Sequence, residues 1–320
     1  MFRFKTAAIA CGLALTVGAF AATSVQETYP QFDIFASNSL GSLAGRKQTA
    51  NDQERGAFSL FGITFLFDAP GADWTNVLDI NDRMEMIGQA SYNGDLRGFY
   101  RPLVGKVKSY LYPGSSQTIF NSINDDGDIL GWHYTNDSHH GAFLLNKGGE
   151  ATEFVVDGYE DGSWYRMNDR DQFLGSQFIY GPTSFKFIGL LASPGKVEEI
   201  RVPGFTNTFL IELNNRGEVL GEGRPAYGDP MGSIESIAFL RRANGTYVPL
   251  DYQPNWSPKI TQRYNHRNYL LKFNGVLGTV ALALDDEGRA IITCRALYTH
   301  YGPLGPVFSE VKERTFAVRP

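Results

Sequence analysis

The chain has 320 residues, 42% of them hydrophobic and 13% aromatic, with 35 Gly and 15 Pro. That apolar content excludes a disordered chain, and so many turn formers predict short elements joined tightly. A formal charge of −5, or −7 once residues 1–21 are set aside, excludes nucleic acid as a partner, because phosphate binding needs a basic surface.

Met1-Phe2-Arg3-Phe4-Lys5 carries two positive charges ahead of an apolar, Gly/Ala-rich run from Thr6 to Ala21 that is short for a membrane span and ends in Ala19-Phe20-Ala21. This pattern predicts a secretory signal peptide over 1–21, with an uncleaved anchor as the alternative. Residues 22–320 then form one domain, periplasmic or extracellular and without stable membrane insertion. Cleavage removes Cys11 and leaves Cys294 as one thiol, so packing rather than a disulfide framework must hold the domain together. Cys294 lies in the apolar run Ala290-Ile291-Ile292-Thr293-Cys294 and reads as a small buried hydrophobe, not a nucleophile.

From residue 38 onward the chain repeats. Asn38, Asn81, Asn124, Asn168, Asn214 and Asn265 mark similar segments, spaced by 43, 43, 44, 46 and 51 residues. Seven residues past the first five stand Gly45, Gly88, Gly131, Gly175 and Gly221, whereas Lys272 breaks the series in the sixth. The fullest copy, Ile123-Asn124-Asp125-Asp126-Gly127-Asp128-Ile129-Leu130-Gly131, has the chemistry of a turn between strands. Asn and Asp side chains bond backbone amides there, and Gly takes the positive φ that reverses the chain. A second set of turns falls at Gly62, Gly105, Gly149, Gly195, Gly245 and Gly288, each after an apolar strand such as Gly141-Ala142-Phe143-Leu144. Four short strands per unit, six times over, predict an all-β fold: a β-propeller of six blades, each of four antiparallel strands. One such sheet cannot cover both its faces, but sheets stacked radially cover each other. Ring closure is expected from Val307-Phe308-Ser309-Glu310-Val311 pairing beside Gln31-Phe32-Asp33-Ile34-Phe35.

Length differences between units fall in one place, the gap between the Gly after the apolar pair and the Gly of the second turn, which runs 17, 17, 18, 20, 24 and 16 residues. Insertions sharing one position in every repeat emerge on one face, the usual binding side. The candidate ligand-binding residues are therefore Tyr92 in unit two, Trp132, His133, Tyr134, His139 and His140 in unit three, Tyr180 in unit four, and Arg224, Tyr227 and Asp229 in unit five. Aromatic rings with sparse charge suit stacking on a sugar or a peptide. No metal or other cofactor is expected. Adjacent His139 and His140 point apart on a strand, and Asp125, Asp126 and Asp128 lack the downstream acid of a calcium loop and read as a hairpin turn. Trp74, Trp164 and Trp256 read as plugs over the core. The chain has no Gly-x-Ser-x-Gly elbow, phosphate loop, paired-His zinc helix or dinucleotide fingerprint. A glycosidase-type carboxylate pair, assembled from different blades, would leave no mark in one sequence.

The stretch from Ile123 to Gly131, followed by His140-Gly141-Ala142-Phe143, resembles the repeat of the HAF family of extracellular repeat proteins. That family's pattern is Gly-Ile-Asn-x-x-Gly-x-Val-x-Gly and then a His-Ala-Phe-like strand. The likeness runs over residues 30–290 and is strongest over 80–240. It implies a secreted bacterial repeat protein without an assigned activity and carries over no catalytic residue. The expectation is a monomeric, non-catalytic binding or scaffold module that contacts an extracellular glycan or protein through its variable-loop face. A polysaccharide hydrolase or lyase using that face is the alternative.

Overall fold

In the computed structural model, the residues described are 24–28, 32–135, 140–181, 185–225, 236–252, 254–264, 267–302 and 305–320, and every regular element among them is a strand. The N-terminal strand is β1 (Ser24–Thr28). Blade 1 is β2 (Asp33–Ser37), β3 (Leu43–Gln48), β4 (Glu54–Leu60) and β5 (Ile63–Phe67); blade 2 is β6 (Trp74–Ile80), β7 (Met86–Tyr92), β8 (Asp95–Arg101) and β9 (Lys108–Tyr110). Blade 3 is β10 (Gln117–Ile123), β11 (Ile129–Tyr134), β12 (His140–Leu145) and β13 (Ala151–Phe154); blade 4 is β14 (Ser163–Met167), β15 (Phe173–Tyr180), β16 (Phe185–Ser193) and β17 (Lys196–Ile200). Blade 5 is β18 (Asn207–Leu213), β19 (Val219–Arg224), β20 (Ile237–Arg241) and β21 (Tyr247–Pro249). The sixth sheet contains β22 (Lys259–Tyr264), β23 (Arg267–Leu284), β24 (Ala290–Gly302) and β25 (Gly305–Arg319), in the order β22-β23-β24-β25-β1. The chain is thus a six-bladed β-propeller, as its repeat predicts.

The repeated Asn earns its place twice. Its side-chain oxygen accepts the amide four residues on, as in Ser42 N to Asn38 (3.0 Å), Glu85 N to Asn81 (2.9 Å) and Asp128 N to Asn124 (2.8 Å). Its side-chain amide donates to the carbonyl of the equivalent residue one blade on: Asn38 to Asn81, Asn81 to Asn124, Asn168 to Asn214, and Asn214 to Asp285, at 2.9–3.1 Å. An amide side chain can both accept and donate in this way, which an ionised carboxylate cannot.

This chain of bonds corrects the sixth repeat. Its marker is Asp285, 71 residues after Asn214, and Asp285 Oδ1 caps the turn by accepting Arg289 N at 2.8 Å. Asn265 lies outside the described residues. Gly288, at φ +75°, takes the place of Gly41, Gly127 and Gly217 in the first turn, not a place in the second. The extra length between blades 5 and 6 builds β22 and the first half of β23, which extend the sixth sheet beyond the blade. They share a small core of Leu271, Ala296 and Tyr298 with Trp256 against it.

Closure also differs from expectation. β1 pairs with the end of β25, from Ser24 opposite Arg319 to Thr28 opposite Thr315. Val311 instead pairs with Leu297 inside the long β24–β25 hairpin, and Asp33–Ser37 is the innermost strand of blade 1. The reason is local: residues 33–37 run into the Asn38 turn, which commits them to a first-strand position, so the outer place falls to β1. A cluster of Phe32, Ile34, Ala57, Ala283 and Ile291 then seals blade 6 to blade 1.

Every innermost strand has one unpaired residue three positions before its marker: Phe35, Leu78, Asn121, Tyr165, Ile211 and Leu282. Such bulges bend the strand and re-aim the next side chain. They also draw the second strand close, which explains its fixed glycine. A Cβ on Gly45 or Gly88 would strike the carbonyl oxygen of Asp33 or Asn76.

Candidate functional site

In a four-stranded antiparallel blade, the first and third turns share one face and the middle loop opens on the other, together with the connection to the next blade. The seven described candidates sit on the strand ends that border this variable-loop face, with Arg224 closing β19 there; His139, Tyr227 and Asp229 lie outside the described residues.

Alternation along β11 puts Leu130, Trp132 and Tyr134 on one side and Ile129, Gly131 and His133 on the other. Trp132 Nε1 donates to the Trp164 carbonyl at 2.6 Å, fixing the indole against the first strand of blade 4. Its ring stacks on His140 with centroids 5.5 Å apart and planes at 16°, and Tyr134 stacks on the same imidazole at 6.0 Å and 29°. His140 itself is exposed. Three of the sequence candidates therefore form one aromatic cluster at the lip of blade 3.

The remaining candidates are not shown in that cluster. His133, 3% exposed, faces blade 2. It stacks on Tyr112 at 4.2 Å, with Nδ1 2.9 Å from Ser115 Oγ and Nε2 3.0 Å from Glu153 Oε1. Strand parity separates it from Trp132, a signal present in the sequence. Tyr92 lies under the Arg97 guanidinium at 5.5 Å, and burial pushes its phenol up. Tyr180 is 84% exposed and meets Phe178 edge-on at 4.3 Å. Arg224 is spent internally: it donates to Glu222 Oε2 at 2.8 and 2.9 Å and covers the Phe209 ring at 4.6 Å. Cys294 is fully buried, bonded to the Tyr252 carbonyl at 2.8 Å, and burial pushes its thiol up to about 12, which fits the reading as a hydrophobe.

A second polar centre lies on the axis, on the opposite face, where the residue after each marker points inward. Backbone amides link it head to tail: Ser39 N to Asp82 Oδ1 (2.8 Å), Asp82 N to Asp125 Oδ1 (2.8 Å), Asp125 N to Asp169 Oδ1 (2.7 Å) and Asp169 N to Asn215 Oδ1 (2.8 Å), with Asn215 N on Asp286 Oδ1. Carboxylate oxygens of Asp82, Asp125 and Asp286 lie within 4.8 Å of one another, an all-oxygen set of the kind hard cations favour. Burial, followed by the neighbouring Asp125 and Asp286 charges, pushes Asp169 up to about 6; burial and the Asp82 and Asp125 charges also raise Asp286.

Beside this ring, the residues re-aimed by the bulges form a buried group. Ser122 Oγ donates to Asp79 Oδ2 at 2.9 Å, and Arg166 Nε donates to Glu212 Oε2 at 3.0 Å. Burial raises Asp79 and takes Glu212 up to about 7, with Arg166 opposing both shifts. A cavity of about 50 Å³ is lined by both layers, including Asp79, Glu212, Asp82 and Asp169. Read as sequence, each Asp is a turn former; only the closed ring gathers them.

No family model matches the chain. No curated protein matches it either. Among solved structures it is similar to a streptogramin B lyase, at 12% identity and a TM-score of 0.42 over 92% of this chain and 97% of that one. It is also similar to a subtype N11 neuraminidase-like protein of A/flat-faced bat/Peru/033/2010 (H18N11), at 11% identity and a TM-score of 0.43 over 93% and 94% of the two chains. AofleA from Arthrobotrys oligospora matches at 10% identity and a TM-score of 0.43 over 91% of this chain and 87% of its own.

Proposed function

We propose that this propeller is a secreted, monomeric repeat protein of HAF type that binds an extracellular glycan through its variable-loop face. The observation that supports this most is the Trp132, Tyr134 and His140 cluster, a set of rings at the lip of blade 3, braced from behind by the Trp164 carbonyl. Flat, braced rings with little net charge suit the apolar face of a sugar, and bracing lowers the ordering cost of binding. The cluster also borders loops in which the repeat tolerates length change, so a contact surface can vary there without disturbing the blades.

A polysaccharide array probed with the wild-type chain and with Tyr134→Ala/His140→Ala tests the proposal. A glycan hit weakened about tenfold or more in the double variant, with Tm within a few degrees, is the expected result. Equal binding by both proteins would remove the cluster from the contact surface. Reducing ends released from the bound polysaccharide would move the assignment to the hydrolase or lyase alternative.

A further inference from the structure

Ser115, His133 and Glu153 meet on the side of blade 3 that faces blade 2, across β11 from the aromatic cluster. Ser115 closes a tight turn: its amide donates to the Tyr112 carbonyl at 3.0 Å, and Gly114 takes φ +78°. The turn holds Ser115 Oγ 2.9 Å from His133 Nδ1. At the far side of the imidazole, Glu153 Oε1 stands 3.0 Å from Nε2 and also accepts the Tyr112 hydroxyl at 3.0 Å. The Tyr112 ring lies against the imidazole, with planes at 15°. Gly141 keeps this space open, since a Cβ there would sit 3.0 Å from Glu153 Oε2 and 3.1 Å from His133 Nε2.

The Glu153 carboxylate, 3.0 Å from Nε2 though out of line for a hydrogen bond with it, acts through its charge, which favours the tautomer with the proton on Nε2 and leaves the Nδ1 lone pair directed at the Ser115 hydroxyl. A hydroxyl in reach of a base, with the base oriented by a third group, is the arrangement that activates a serine. Nothing about the face proposed for glycan binding is needed for this.

We propose that Ser115 is an activated nucleophile that takes the acyl group of a small ester, with His133 as its base and Glu153 and Tyr112 as positioning residues. Ser115 Oγ bonds to the carbonyl carbon while its proton passes to His133 Nδ1. The C–O bond to the leaving alcohol then breaks, the alcohol carries that proton away, and an acyl ester remains on Ser115. Water reverses the sequence: it gives a proton to Nδ1 and its oxygen to the carbonyl carbon, and the proton returns to Ser115 Oγ as the acid leaves. The balance is ester plus water to acid plus alcohol. The half-buried hydroxyl and the stacked Tyr112 restrict the acyl group to a small one.

The test is to treat the full chain with a fluorophosphonate probe and, separately, with p-nitrophenyl acetate, and to map adducts by peptide mass spectrometry. A single adduct on Ser115 is expected in both, absent from Ser115→Ala. Glu153→Gln, at a half-exposed position, should slow labelling about tenfold while leaving Tm within a few degrees. A folded wild-type chain that gives no adduct at Ser115 overturns the proposal. So does labelling of Glu153→Gln at the wild-type rate, because a serine that merely pins the connection to blade 3 would be indifferent to the carboxylate.

Discussion

The marker Asn shows how one side chain can serve a turn and a ring at once. Its oxygen caps the local hairpin and its amide reaches the next blade, so Asn→Asp keeps the first role and loses the second. At Asn214 the amide also donates to Glu218 Oε2 at 2.9 Å, and a carboxylate there would face another carboxylate. Asn214→Asp is therefore expected to cost about 2–3 kcal/mol in urea denaturation, the upper part of the range for an unsatisfied buried group. A loss below about 0.5 kcal/mol would show that the bond between blades contributes nothing net. The axial carboxylates give a pH signature whose sign is fixed by their shifts. Asp169 near 6 and Glu212 near 7 both stand above ordinary carboxyl values, so between about pH 4 and 7 the folded state binds more protons than the unfolded state. Their contribution to stability is present at low pH and is lost as pH rises through those values. Asp169→Asn should thus raise Tm relative to wild type at pH 8 and lose that advantage at pH 5; parallel Tm profiles for the two proteins would refute the assignment. The Asn spacing is plain in the sequence, as is the parity that parts His133 from Trp132. The bonds from marker to marker are not, because they join residues 43 to 71 positions apart that meet only across a seam.

Within a blade, the fixed intervals reflect a bulge and the glycine facing it. The strands, their first turns and the place of the variable loops could be read from the sequence because they follow from local chemistry, an Asn cap and a positive-φ Gly. The bulge could not, since an extra residue in one strand appears only when its partner is known. The same limit produced the misplaced sixth marker. Asn265 offers suitable turn composition, while Asp285-Asp286-Glu287-Gly288 resembles either turn until its hydrogen bonds are seen. Two glycines separate the causes of conservation of shape. Gly149 has φ +91° with nothing near its Cβ position, so Gly149→Ala should cost only the left-handed strain, about 1 kcal/mol. Gly88 has an ordinary backbone but faces the Asn76 carbonyl, so Gly88→Ala should cost about 3 kcal/mol as the strands are forced apart. Equal losses in urea denaturation would mean that the bulge yields freely.

Each blade keeps an outer edge strand, and in the sixth sheet that strand is β1, the first strand among the described residues. Five register pairs tie β1 to β25, and the neighbouring Asp285 cannot supply the side-chain amide that Asn38, Asn81, Asn168 and Asn214 each send to the next marker. At this junction Ser39 Oγ reaches Asp286 Oδ2 at 3.3 Å instead. The pairing of the two ends is also the longest-range contact in the fold, so it carries the largest loop-closure cost. Cleavage after Ala21, the site expected from the sequence, would leave Ala22-Thr23 ahead of β1 and keep the closing strand whole. A chain of residues 22–320 should therefore melt as a single transition. A chain of residues 29–320 loses the β1 bonds, at about 1 kcal/mol each, and should melt about 10 °C lower. It should also form higher oligomers on size-exclusion chromatography, because the unpaired edge of β25, confined to residues 305–314 while β1 is present, then runs the length of the strand and can pair with another molecule. If the shorter chain stays monomeric with an unchanged Tm, β1 is an ornament on a ring already held by its core, and the Phe32, Ile34, Ala283 and Ile291 cluster carries the seam alone.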